Sequence, residues 1–208
     1  IIPQNWLGDI VMSQTLLKRV KSENPNTVID ILVNSTFKSL VERMPEINKA
    51  VILDSGHKEV GFLKRLNLAR KIKGNYDQSI VLSRSIKSAL IPYFAKIPIR
   101  TGELGESRYI LINDLKKFTK EERRKTALRY VSMFSKKEEV LDEKYYPSLQ
   151  SDPENIKILF DKYKLNLDKK IIIFAPGAAF GPSKMWPVEK FKELGEKLNK
   201  DFFILILG

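Results

Sequence analysis

The chain has 208 residues, long for one domain and short for two, and its 43% hydrophobic and 30% charged content excludes a disordered or collagen-like polymer. It carries 37 Lys and Arg against 25 Asp and Glu, a formal net charge of +12, with one histidine and no cysteine. Disulfide frameworks, thiolate nucleophiles, Cys-based zinc sites and multi-histidine metal centres are therefore excluded, and no apolar run approaches the roughly 20 residues of a membrane-spanning helix.

Short apolar runs alternate with helical patterns, the signature of βα units and parallel sheets. Ile1 and Ile2 read as the tail of a strand, followed by a loop at 3–8. Residues 9–21 carry Ile10, Leu17 and Val20 at helical spacing, and 28–33 reads as a strand. Ser35 is placed to cap a helix whose buried face is Phe37, Leu40, Val41 and Met44, ended by Pro45. A short strand at 50–53 leads to a basic amphipathic helix at 59–73, with Phe62, Leu66 and Ala69 on one side and Gly74 past its end. Next come a strand at 79–82 and a helix capped by Ser85, in which Pro92 should force a kink or an early end. A strand at 97–100 is expected to run into a Gly-containing loop at 101–109. The charge-dense stretch 116–143 reads as mostly helical, with Leu128, Val131 and Phe134 as core contacts.

Composition changes at 145–154, where Pro147, Ser148, Ser151, Asp152 and Pro153 cluster as in a linker. The expected organisation is a first domain at 1–147, a linker at 148–155 and the start of a second domain at 156–208. In the second part, apolar runs at 171–175 and 202–207 read as strands buried in a parallel sheet, with a helix carrying Val188, Phe191, Leu194 and Leu198 between them. One βαβ unit of that size cannot hide both faces of its sheet. With a strand tail at Ile1 and an apolar run reaching Leu207, the expectation is a piece of a longer protein, cut inside elements at both ends.

Three groups of residues are candidates for chemistry. Asn5-Trp6-Leu7-Gly8-Asp9 puts a glycine and a carboxylate in the turn after the first strand, the edge where open α/β sheets bind ligands. Asp9 there is either a general base or simply an N-cap. The turn from Pro176 to Pro187 contains Gly177, Ser183, Lys184 and Trp186. Its amides near a helix start form an anion site to which Lys184 adds a full charge, or Lys184 is merely solvated and Trp186 packs in the core. Ser83-Arg84-Ser85-Ile86-Lys87 and Ile99-Arg100-Thr101-Gly102 lie near strand ends, where their cations either converge on one anionic ligand or stand as separate surface charges. His57, without a carboxylate or second histidine beside it in the sequence, reads as a surface residue. The basic residues are spread along the chain with no aromatic-interleaved stripe, so no nucleic-acid partner is expected.

In order and spacing, the stretches NWLGDIVMSQTL, RMPEIN, SIKSALIPYFAKIPIRTG, GELGESRY and PGAAFGPSKMWP resemble the ADP-heptose:lipopolysaccharide heptosyltransferases of glycosyltransferase family 9, most closely the type II branch. The resemblance implies a GT-B fold of two Rossmann-like domains, with the N-terminal one nearly complete here and only the first βαβ part of the C-terminal one present. It implies an inverting transfer of heptose from ADP-heptose to the lipopolysaccharide inner core, adding the second heptose. Asp9 matches the family's proposed base, and Lys184, with Gly177 and Ser183, matches the donor-diphosphate contact. Gly8, Lys87 and Arg100 fall in the stretches that face the anionic acceptor. Since Asp9 and Lys184 belong to different domains, closure of one domain on the other would assemble the site. No metal cofactor is implied, and the partners are an ADP-sugar and an anionic, lipid-linked oligosaccharide. The implied location is cytoplasmic, in peripheral contact with the inner membrane, a use for the +12 charge. Open alternatives are heptosyltransferase I or a related sugar transferase, and a non-catalytic glycolipid-binding protein of the same fold.

Overall fold

The computed structural model describes residues 1–54, 61–137, 139–165, 168–178 and 182–207. His57 lies outside the described residues. The chain divides into two compact units, Ile1–Gln150 and Ser151–Gly208.

The first unit opens with helix α1 (Leu7–Glu23), followed by strand β1 (Asp30–Val33), helix α2 (Lys38–Val41) and strand β2 (Lys49–Ile52). Helix α3 (Phe62–Ile72), strand β3 (Gln78–Val81), helix α4 (Ile86–Phe94) and strand β4 (Ile99–Glu103) repeat the βα rhythm. It closes with strand β5 (Asp114–Lys116) and two short helices, α5 (Lys120–Arg124) and α6 (Thr126–Val131). Strands β1 and β2 pair in parallel, as do β3, β4 and β5 in that order. The Ile1–Ile2 segment lies between these groups. The Ile2 amide donates to the Ile80 carbonyl, the Leu82 amide to the Ile2 carbonyl, and the Leu32 amide to the Ile1 carbonyl, each at 2.9 Å. The resulting order is β2, β1, Ile1–Ile2, β3, β4, β5, so the chain reverses its direction of travel across the sheet beside its own first segment. Ligands of doubly wound sheets bind at such a reversal, outside the carboxyl ends of the strands.

The sheet and α1 share one core. Ile10, Leu16, Leu17 and Val20 of α1 pack with Ile31, Val33, Ile80 and Leu82 from the strands and with Tyr130 and Met133. Helix α1 is covered on more than one side, since Ser13, Gln14 and Thr15 are as buried as its apolar residues. Burial of these polar side chains is tolerated because each is bonded. Gln14 accepts from the Ser148 amide at 2.8 Å and donates to the Ser148 carbonyl and to Glu46, both at 2.9 Å. The segment read as a linker thus begins tied to α1, and Asp152, by accepting from the Asn155 amide, caps helix α7 (Pro153–Tyr163).

Several local expectations change. Helix α1 begins two residues before Asp9, with Trp6 as its N-cap, so Gly8 and Asp9 sit in the first helical turn. The helix expected after Ser35 starts as a 3-10 turn at Ser35–Phe37, and the Ser35 side chain does not cap it. The strand expected to end at Arg100 continues to Glu103, because Thr101 and Gly102 pair with Asp114 and Leu115 of β5. That strand was not anticipated from the sequence. The stretch 116–143, expected to be mostly helical, holds two short helices, α5 and α6, parted at Lys125, and a capping box between Thr119 and Glu122 starts α5. Ser85 caps α4 as expected, by accepting from the Ser88 amide, and the helix ends at Phe94, two residues after Pro92.

The second unit consists of α7, strand β6 (Lys170–Phe174), helix α8 (Val188–Leu198) and strand β7 (Phe202–Ile206). The strands pair in parallel, with Lys170 opposite Phe202. Phe191 of α8 packs on Phe174 with ring centroids 5.4 Å apart. Ile173 and Ile206 both stay exposed, and the register, with Ile173 opposite Leu205 and Phe174 opposite Ile206, puts them on opposite faces of this two-stranded sheet.

Candidate functional site

The turn after Ile2 leads straight into α1 at the reversal point of the sheet. Asp9 is the third residue of that helix and is partly exposed. It is not the cap. Trp6 holds that position with no side-chain cap bond, and Asp9 Oδ1 instead accepts a hydrogen bond from the Tyr130 hydroxyl at 2.7 Å. Gly8 is exposed, and a Cβ built there would meet nothing within 4 Å, so the backbone beside Asp9 is open to an approaching molecule.

A polar crevice lies along the same carboxyl edge. Ile2, Pro3, Asn5, Asn34, Arg65, Ser83, Ser85, Lys87 and Ser88 contribute to its lining, which among the described residues holds two cations and no carboxylate. Asn34 Oδ1 is buried there with no hydrogen-bond partner among the described residues, while its amide nitrogen donates to Asn5 Oδ1 at 3.2 Å. Lys87, in the first turn of α4, belongs to this crevice. Burial lowers the pKa of the Arg65 guanidinium.

Arg100 does not join Lys87. It sits near the amino end of β4, where Nε donates to the Leu111 carbonyl at 2.9 Å, Nη1 to the Ile97 carbonyl at 2.7 Å, and the guanidinium lies 5.6 Å from the Tyr93 ring centroid. Two of its donors serve backbone carbonyls, and it does not line the crevice that Lys87 lines. In the second unit, Ser183 and Lys184 are exposed in the 3-10 turn Pro182–Lys184, and a Cβ at Gly177 would meet nothing within 4 Å. Residues 179–181 of that turn are outside the described set. Pro187 is the N-cap of α8 rather than its first helical residue, and Trp186 packs edge-on against Phe191 at 4.8 Å while half exposed.

Among the described residues no three His, Cys, Asp or Glu side chains gather as metal ligands, and no helix is long and apolar enough to cross a membrane. The model of glycosyltransferase family 9 (heptosyltransferase) matches residues 65–207, more than half of the chain.

The chain belongs to glycosyltransferase family 9.

It is 35% identical over 217 residues to lipopolysaccharide heptosyltransferase 2 of Salmonella typhimurium, covering all of this chain and 62% of that protein. To lipooligosaccharide heptosyltransferase 2 of Haemophilus influenzae it is 37% identical, with the same coverage. The solved structure of Escherichia coli ADP-heptose lipopolysaccharide heptosyltransferase II superposes with a TM-score of 0.86 at 31% identity, covering all of this chain and 63% of that one. The chain thus spans about three-fifths of the length of these family 9 relatives. Its fold is the α/β fold of that family, part of a GT-B architecture, with parallel sheets in both units.

The motif stretch GELGESRY holds Glu103 and Arg108, but nothing in its spacing foretells the cationic cluster at the end of β4. Glu103 is almost wholly buried, and Arg129 donates to its Oε2 at 3.3 Å. Arg123 also binds this carboxylate, and Arg84 lies 3.6 Å from it. The Glu103 carbonyl accepts from the buried Arg108 at 2.6 Å, while Arg108 reaches the Ser85 carbonyl at 3.0 Å. Burial lowers the Arg108 pKa, only partly offset by Glu103. Three guanidinium groups at the Glu103 carboxylate and a fourth on its carbonyl give this edge of the sheet an excess of positive charge. Sequence spacing offers Arg84 as a candidate cation but cannot group it with Arg108, Arg123 and Arg129, which come from separate segments.

Proposed function

We propose that the full-length protein is an inverting glycosyltransferase that moves heptose from ADP-heptose to the lipopolysaccharide inner core, adding the second heptose. The observation that supports this most directly is Asp9 itself. A partly exposed carboxylate stands at the reversal point of the sheet with one oxygen held by Tyr130, beside an open backbone at Gly8. In this reading the acceptor hydroxyl gives its proton to Asp9 as its oxygen bonds to the anomeric carbon. The bond from that carbon to the diphosphate breaks, the electron pair leaves on ADP, and the anomeric configuration inverts. Lys184, with Ser183 and the amides around Gly177, takes up the charge that grows on the departing diphosphate.

The acceptor is anionic and lipid-linked in this reading. The crevice with Lys87 and Arg65 and the arginines about Glu103 supply the complementary charge. Arg100, with two of its donors on carbonyls near the amino end of β4, stands apart from this crevice. The protein works at the cytoplasmic face of the inner membrane, attached peripherally, and needs no metal cofactor.

The test supplies the full-length protein with ADP-heptose and two acceptors, one ending in the keto sugar of the inner core and one already carrying a heptose. Mass spectrometry counts the sugars added. Transfer to the heptose-bearing acceptor alone is expected. Transfer only to the other would make it the enzyme of the first heptose, and transfer to neither by folded protein would overturn the donor or acceptor assignment.

A further inference from the structure

Tyr130 has no role in the motif-based reading, yet it makes the one side-chain hydrogen bond that Asp9 has among the described residues. Its ring is completely buried in the core that α1 shares with the sheet, and the Arg129 guanidinium lies 5.3 Å from its centroid. The phenolic oxygen accepts from Gln4 Nε2 at 3.2 Å and donates to Asp9 Oδ1 at 2.7 Å. With Gln4 occupying the acceptor side of that oxygen, the hydroxyl hydrogen is directed to the carboxylate. Burial, reinforced by the neighbouring Asp9 carboxylate, raises the pKa of Tyr130 well above the usual tyrosine range, so it remains a donor at physiological pH.

The position of Asp9 gives this bond its use. A carboxylate at the third residue of a helix has free amides of its own first turn within reach, and those of α1 have no side-chain cap. Folded back on them, it would spend both oxygens on the helix. Tyr130 draws Oδ1 toward α6 instead and leaves Oδ2, which accepts no hydrogen bond among the described residues, for a substrate proton. We infer that Tyr130 is a positioning residue that fixes the rotamer of Asp9 so that Oδ2 receives the acceptor proton. This rests on the proposed role of Asp9 as base. Tyr130 keeps its own proton throughout. The acceptor hydroxyl proton goes to Oδ2, the acceptor oxygen bonds to the anomeric carbon, and ADP departs with the electron pair of the broken bond.

The experiment is a double-mutant cycle in the full-length protein, with Tyr130→Phe, Asp9→Asn and both together, assayed with ADP-heptose and the heptose-bearing acceptor. Tyr130→Phe is expected to lower kcat about 10- to 100-fold by loosening the base, with KM for both substrates within twofold. In the Asp9→Asn background the same change should cost less than about threefold, because there is no longer a base to position. An equal loss in both backgrounds, or a rise in KM at unchanged kcat, would overturn the inference and make Tyr130 structural. Gln4→Leu gives an independent reading if Tyr130→Phe unfolds. It removes the donor that orients the hydroxyl from a partly exposed site, and should lower kcat severalfold without changing KM. An Asp9→Asn protein of full activity would refute the base itself, a failure distinct from that of Tyr130.

Discussion

Arg129 Nη1 donates to Glu103 Oε2 at 3.3 Å, with 8% and 2% of the two side chains left exposed. A charge pair removed from water to that degree persists because each member neutralises the other. Removal of one leaves the remaining charge desolvated. Glu103→Gln should destabilise the protein by about 3–5 kcal/mol, seen as a lower urea midpoint at unchanged m-value. A loss under about 1 kcal/mol would show that water already reaches the cluster.

Asp9→Asn keeps the size of the side chain and removes its capacity to take a proton. A fall in kcat of about 10²- to 10⁴-fold is expected, the range of a lost general base. Donor affinity, measured by calorimetry with ADP, should change less than twofold. Normal turnover would reduce Asp9 to a favourable charge in the first turn of α1.

Lys184→Ala should weaken the ADP-sugar complex and slow departure of the diphosphate together. The proposed role predicts a rise in KM for the donor and a fall in kcat, each about tenfold or more. The KM for the acceptor should not move. A change confined to the acceptor KM would detach Lys184 from the donor.

Gly105 lies where the loop after β4 crosses Arg84. A Cβ there would meet the Arg84 carbonyl oxygen at 2.5 Å and its Cβ at 2.8 Å. Both atoms belong to or adjoin the backbone and cannot swing aside. Gly105→Ala should cost about 1–3 kcal/mol and lower the melting temperature by several degrees. The neighbouring Arg84 contact with Glu103 should be lost with it, whereas Gly8→Ala, built into open space, meets no such clash.

Asp30 predicts a pH dependence of stability. Burial alone would raise its pKa, but hydrogen bonds from Tyr76 at 2.5 Å and Asn48 at 2.9 Å, with Lys49 at 3.4 Å, outweigh it, and the net shift is downward. A carboxylate whose folded pKa is below its unfolded value, about 3.9, binds its proton more readily when unfolded. Its contribution is therefore complete above about pH 4 and fades as pH falls through the lower folded value. Urea melts of Asp30→Asn should show reduced stability at pH 7 and a shallower loss between pH 4 and 2 than the parent. An identical slope in both proteins would assign the acid sensitivity to other carboxylates.

Much of the architecture was legible because the signals are local. Apolar runs placed β1, β3, β6 and β7 within two residues of where they lie, and Ser85 announced the start of α4. Strand β5 was not legible, since Asp114, Leu115 and Lys116 offer a single apolar side chain and become a strand only by pairing with Thr101, Gly102 and Glu103. Arg100 shows what register adds to a charge. The parallel pairing sets it near the amino end of β4, where two of its donors serve nearby carbonyls.

By itself the sequence determined the order of βα units, the family and the two candidate groups Asp9 and Lys184, all properties of contiguous stretches whose side-chain spacing survives without a fold. Only the tertiary structure decided what those groups work with. Tyr130 lies 121 residues from Asp9 and reaches it because α1 and α6 bury their faces in one core. Glu103 likewise draws its arginines from three other segments. Burial turned those chance neighbours into obligatory partners, because a charge or hydroxyl taken out of water must find its counterpart within the protein.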